Sequence, residues 1–574
     1  MSHRIAALVG CALVVTTATP GSNLSGQGTS DEPSARERVV HVLQRATYGP
    51  RPGDIRRVEA LGIPAWIDEQ MRPSQVEDAG LQARLEAFPS ATMGISELLA
   101  EYPPGQVLRP VREMIREGSL SQDERRNVER QLADRGPGRI LGDLVGTRLT
   151  RAIYTERQLE EVMTAFWFDH FNVFFGKGTV RWLVGDYERT AIRPHIFGKF
   201  EDMVLATARH PAMLFYLDNF RSAAPDSSLR AQQRRRVMQR RRVEPRPQDT
   251  LRRRPGLNEN YARELMELHT VGVDGGYTQN DVVAVARTLT GWTFQQFRPD
   301  RMMAGMQATL ESGTVVLPAV DYEGAYRYRF RPELHDAGEK MVMGRRFPRG
   351  GGEEEGVELI RMLARQPSTA RHIARQLATR FVADDPPQTI VDRLAEVFME
   401  SEGDLAEVTR ALFTAPEFYS PDVMGSRTKS PFILLVSALR LTEARVSDPR
   451  VLLGPLRALG EAPYLAEPPT GYEERSEQWA SSGSMLNRMN FAVALASGSL
   501  RGVRLNGRAL LERAGDLDDD RLEGLARLLL PSGERSELLE LIREDIGADP
   551  TVGERQAVVR ELSLILGSPE FQGH

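Results

Sequence analysis

The 574-residue chain has a single cysteine, Cys11. One thiol excludes an intrachain disulfide and any zinc site built from cysteines. Downstream of Val15 no apolar run approaches the ~20 residues that a membrane-spanning helix needs. The 74 basic and 79 acidic side chains leave a net charge of −5, which argues against general nucleic-acid binding. Several signatures are also missing: a Walker loop, a dinucleotide glycine fingerprint leading out of a strand, a Gly-x-Ser-x-Gly elbow and His-Glu-x-x-His. Their absence removes the commonest nucleotide, redox, serine-hydrolase and zinc-protease readings. Inward-facing Glu-x-x-His pairs of the di-iron bundle type are missing too.

What is present is ordinary globular material, 41% hydrophobic and 27% charged, on a chain long enough for several domains. Residues 1–18 carry an early positive charge, an apolar run from Ile5 to Val15 and small residues before Pro20. They read as a secretory signal cut after Ala18, which predicts an exported, periplasmic or extracellular protein. Leu8-Val9-Gly10-Cys11 imitates a lipoprotein box but sits too early in the chain. Residues 19–35 read as a flexible linker.

The remainder predicts a mainly α fold, an irregular multi-helix assembly with a small β insertion around 314–347. Regions 36–300, 301–352, 353–425 and 426–574 are marked off by turn signals, and an Arg-rich insertion occupies 222–255. Between Arg230 and Arg254 there are 11 arginines against Glu244 and Asp249. Such a loop suits an anionic glycan or envelope surface; without interleaved aromatics it does not suit nucleic-acid bases. Leu159–Phe175 is apolar nearly all round and predicts a buried central helix, in which Asp169, His170 and Asn172 need partners. Asn258 caps a predicted helix to about Thr270, where Glu259, Arg263 and Glu267 form an i,i+4 ladder. His335-Asp336-Ala337-Gly338-Glu339-Lys340 reads as a turn between strands. Pro468-Pro469-Thr470-Gly471-Tyr472 reads as an ordered loop lying over something.

Several stretches carry a family resemblance, in order: HVLQRATYGPRPGDI (41–55), WFDHF (167–171), RPHIFGKF (193–200), ARHPAMLFYLDN (208–219), LNENYARELMELHTVGVDGGYTQNDV…ARTLTGW (257–292), HDAGEK (335–340), TKSPF (428–432), GYEERSEQW (471–479) and LNRMNFA (486–492). Together they resemble the bacterial domain of unknown function 1800 family over roughly residues 36–574. The resemblance implies an exported protein and, as a partner, an exported sulfatase-like protein. It implies no particular chemistry.

Three polar groups remain as the candidate site. Asp169, His170, Glu264, Glu267, His335 and Asp336 are the candidate acids and bases. Asn258, Glu259, Asn260, Arg263, Lys340 and Trp292 are candidate substrate contacts, and His170, His335 and Asp336 suit a divalent metal. If they converge, the expected function is a hydrolase, metal-assisted or acid/base, working on an extracellular polymer or glycan. The alternative is a non-catalytic envelope binding or assembly protein, with the same groups buried as closed ion pairs.

Overall fold

A computed structural model describes residues 32–118, 120–224, 256–297, 320–531, 533, 535–548 and 553–574, with the backbone of 309–311 and 314–316. The signal at 1–18, the linker before residue 32 and the insertion from 225 to 255 lie outside the described residues.

The chain is mainly α. Helix Ala35–Ala46 begins at a capping box in which Ser34 and Glu37 each satisfy the other's backbone amide. Helix Gln158–His170 buries Leu159, Val162, Met163, Phe166, Trp167 and Phe168, as its all-round apolar character predicts. It ends at His170, earlier than the apolar run suggests. Asn172 is drawn away to donate through Nδ2 to the carbonyls of Ala466 (3.0 Å) and Pro468 (2.7 Å). Helix Pro431–Leu441 is buried along its whole length and forms a second central rod. Around these two, helix Pro367–Phe381 packs on Gln388–Glu400, and Ser482–Ala496 packs on Glu554–Gly567. One continuous apolar core runs through residues from Val39 to Phe571.

The stretch from Asn258 differs from a regular helix. It is α-helical over Asn260–Glu264 and then widens into a π turn over Leu265–His269. The Thr270 hydroxyl donates to the Leu265 carbonyl at 2.5 Å, five residues back, consistent with that wider turn. Thr278 then caps helix Gln279–Thr288 with Asp281 in a capping box.

Strand pairs form around the predicted β insertion. Tyr328–Phe330 pairs with Trp292–Phe294, Thr309–Glu311 with Thr314–Val316, and Lys340–Val342 with Arg345–Phe347, all antiparallel. No helix among the described residues is long and apolar enough to cross a membrane.

The core holds neutral imidazoles, which makes the fold acid-sensitive. Burial pushes His170 down to about 4 and His41 down to about 3. In the unfolded chain each takes a proton near pH 6.5, whereas the folded chain resists it, so stability is complete above pH 6.5 and falls as pH drops. His170 alone should cost about 3 kcal/mol by pH 4. Denaturant midpoints measured from pH 7 to pH 4 should fall steadily, and His170→Gln should flatten the slope.

Candidate active site

The last turn of helix Gln158–His170 turns its two polar neighbours to different sides. Asp169 lines a cleft together with Arg148, Arg380, Glu461, Tyr472 and Glu474. The enclosed part of the cleft is small, with a volume of about 30 Å³.

The far wall belongs to the loop Pro468–Glu474. Gly471 lies against helix Gln158–His170 with φ +70°, and a Cβ there would stand 2.6 Å from the Asp169 carbonyl oxygen and 2.8 Å from its Cβ. Only glycine allows that approach in that conformation. Asn172 holds the other end through its two carbonyl contacts. The Tyr472 hydroxyl donates to the Ala462 carbonyl at 2.8 Å and accepts from the Ala462 amide at 3.1 Å. The predicted ordered loop thus lies over Asp169. Gly471→Ala should push the loop off the helix and destabilise the protein by about 2 kcal/mol through the left-handed backbone and the clash. Thermal unfolding checks the loss, and Gly483→Ala, at an open position, should change little.

The two arginines of the cleft are paired with carboxylates, whereas Glu461 and Asp169 form no ion pair among the described residues. Arg380 meets Glu474 at 2.8 Å. Arg148 meets Glu188 at 3.5 Å, and the Tyr464 hydroxyl donates to the same Glu188 at 2.8 Å. Burial works against the Arg148 charge, but Glu188 more than offsets it and the guanidinium stays protonated. Glu461 accepts from the Phe432 amide at 2.7 Å, at the start of helix Pro431–Leu441. Burial still raises its pKa despite that bond. Asp169 has no hydrogen-bond or ion-pair partner for its carboxyl among the described residues. Burial pushes its carboxyl up to about 7, with Glu474 and Glu461 adding to the shift and Arg148 opposing it. A carboxyl half-protonated near neutrality can both give and take a proton.

The other candidate residues go elsewhere. His170 points into the core, its Nδ1 2.6 Å from Gln376 Oε1 and its Nε2 3.2 Å from the His269 carbonyl. His335, Lys340 and Glu355 form a buried group, in which His335 Nε2 and Glu355 Oε2 make no hydrogen bond among the described residues. Lys340 Nζ lies 2.7 Å from Glu355, and His335 Nε2 lies 3.5 Å from it. Lys340 also donates to the Asp336 carbonyl, while the Asp336 carboxylate is held by Arg287 at 2.8 Å. Trp292 is fully buried, with its indole ring against Gly356.

Glu259, Arg263 and Glu267 form the predicted ladder on an exposed to half-buried face, at 3.9 Å and 3.2 Å. Glu264, beside them, is raised by burial and by Glu267. Asn258 and Asn260 both donate to the Leu217 carbonyl, at 3.2 Å and 3.5 Å. His170 and His335 have different partners: both His170 nitrogens and His335 Nδ1 meet protein oxygens, while His335 Nε2 makes no hydrogen bond among the described residues. Among the described residues no group of three or more His, Asp or Glu is placed to hold a metal. The suggested metal ligands His170, His335 and Asp336 therefore offer no shared ligand set among the described residues.

Sequence reasoning missed Arg148, Arg380, Glu461 and Glu474, which line the cleft with Asp169. Glu474 sits inside the GYEERSEQW stretch, which was a usable signal. Arg148 and Arg380 lie in charged helical segments where nothing distinguishes them from surface arginines.

These features define a large, mainly α-helical protein with a polar cleft walled by paired arginines and carboxylates. The chain belongs to the family described as Protein of unknown function (DUF1800), whose model matches residues 41–573. No curated protein and no solved structure shows a significant match to it.

Proposed function

We propose that this protein is an exported acid/base hydrolase acting on an extracellular glycan or related polymer, with Asp169 as the proton donor. The observation that carries the reading is the Asp169 carboxyl, raised to about 7 inside a cleft that also holds Glu461 and Glu474. Glycan cleavage uses a protonated carboxyl to release the leaving oxygen and a second carboxylate to attack or to activate water. Asp169 fits the first task. Glu474, paired with Arg380, is the candidate for the second. Tyr472, in the loop wall, offers a flat apolar ring for a sugar.

A second reading has its own support. The buried group of His335, Lys340 and Glu355 is what an envelope assembly protein, working beside an exported sulfatase-like partner, would use to stiffen its scaffold. One experiment separates the two. The mature protein and Asp169→Asn are incubated with chitin, peptidoglycan, xylan and pectin, and new reducing ends are counted. Release from at least one polymer by the parent, lost in the variant, is the expected result. No release from any, or equal release by both, would overturn the hydrolase reading.

A further inference from the structure

Arg45, on the first helix, and Arg427, in the turn before helix Pro431–Leu441, are both more than nine-tenths buried. Arg45 spends Nη2 on the Val423 carbonyl at 3.1 Å. Arg427 spends Nη2 on the Glu474 carbonyl. The Nε and Nη1 nitrogens of both find no acceptor among the described residues. His574 lies beside them, its amide donating to the Arg427 carbonyl at 2.9 Å, and its buried Nδ1 is likewise without a partner among the described residues. Buried polar groups are nearly always paired, so five such nitrogens on three neighbouring residues is far from the rule.

The charges do not balance either. The cations are Arg45, Arg427 and Arg380. The acids are Glu474, 2.8 Å from Arg380 and 3.9 Å from Arg427, and Asp384, 3.7 Å from Arg427. Among these side chains that leaves one positive charge over, on Arg45, which has no side-chain carboxylate within ion-pair distance among the described residues. Arginine does not escape by losing its proton, because the guanidinium holds it too tightly. Burial and the two neighbouring arginines weigh against the Arg45 charge, and Asp384 offsets it only in part. A water molecule could accept the free hydrogen bonds, but it would leave the charge uncompensated.

We propose that a small monovalent anion binds between Arg45 and Arg427, taking up their free donors and the unmatched charge. The proposal is independent of the hydrolase reading. Even so, the Arg427 bond to the Glu474 carbonyl ties the anion seat to the wall of the cleft.

Bromide is the probe. Crystals of the mature protein are grown or soaked in sodium bromide and anomalous scattering is recorded. Thermal unfolding of the parent and of Arg45→Met is compared in sodium bromide and in sodium isethionate, whose anion is too bulky for the seat, at equal ionic strength. The expected results are an anomalous peak within hydrogen-bond reach of both guanidinium groups and a bromide-specific rise in midpoint of about 2 °C or more in the parent. That rise should be lost in Arg45→Met, which should be at least as stable as the parent in isethionate, since it no longer buries an unmatched charge. The absence of a peak in the parent would overturn the proposal, as would a carboxylate of the chain itself found in that place. An equal salt response in the two proteins would do the same.

Discussion

Asp169→Asn should lower hydrolytic turnover at pH 7 by about 10²- to 10⁴-fold, the range a positioned proton donor contributes. The same substitution should make the protein more stable at alkaline pH. In the unfolded chain the carboxyl ionises near its ordinary value of 3.8, while in the fold it holds its proton up to about 7. The folded state therefore binds the extra proton between those values, and stability is lost as pH rises through that window. Asparagine removes that penalty. The variant should match the parent near pH 3, pull ahead as pH rises and level off above pH 7. Asp169 keeps some contact with solvent, so the gain should be on the order of 2 kcal/mol, below the full value for its shift. Loss of activity joined to a gain in stability separates a working site from a structural one, where both would fall together. Denaturant titrations at pH 3, 6 and 8 check the stability half, and reducing-end assays check the other.

Lys340→Met should cost about 3–5 kcal/mol, the usual loss when one partner of a buried ion pair is removed. Lys340 and Glu355 have side chains 0% and 1% exposed, so the substitution leaves a carboxylate in the core with His335 and the Thr288 hydroxyl nearby but no ionised partner of fixed charge. The Asp336 carbonyl loses its donor as well. Adding Glu355→Leu should restore much of the stability, because an apolar pair needs no compensation there. Turnover per folded molecule should stay the same in both variants, since this group lies in a buried cluster and does not line the Asp169 cleft. Urea midpoints of the parent, the single variant and the double variant test this.

The sequence disclosed the scaffold better than the site. Helix Gln158–His170 was legible because apolar residues on every side of a helix have nowhere to go but the core. The strand pairs at Lys340–Phe347 were legible from short alternating runs around a Gly turn. The π turn at Leu265–His269 was not, because it is consistent with one side-chain hydroxyl reaching a carbonyl five residues back, which no periodicity reports.

At the site, Asp169 stood out as a polar residue on an apolar helix, and its neighbour His170 did so equally. Which of the two faces the cleft depends on where the Gly471 loop comes to rest, a contact between residues some 300 positions apart in the chain. His335, Asp336 and Lys340 look in sequence like a reactive turn. Only packing shows that Glu355, from a helix further along, pairs with Lys340. Arg148 and Arg380 carry no local mark at all, because burial of an arginine is decided by what packs over it.

The most direct test of this account is the titration of the Asp169 carboxyl itself. It can be followed by ¹³C NMR of aspartate-labelled protein and assigned by the signal that disappears in Asp169→Asn. The account predicts a carboxyl that titrates near pH 7. A carboxyl that ionises near pH 4, like an ordinary surface aspartate, would contradict it and remove the proton donor on which the proposed chemistry depends.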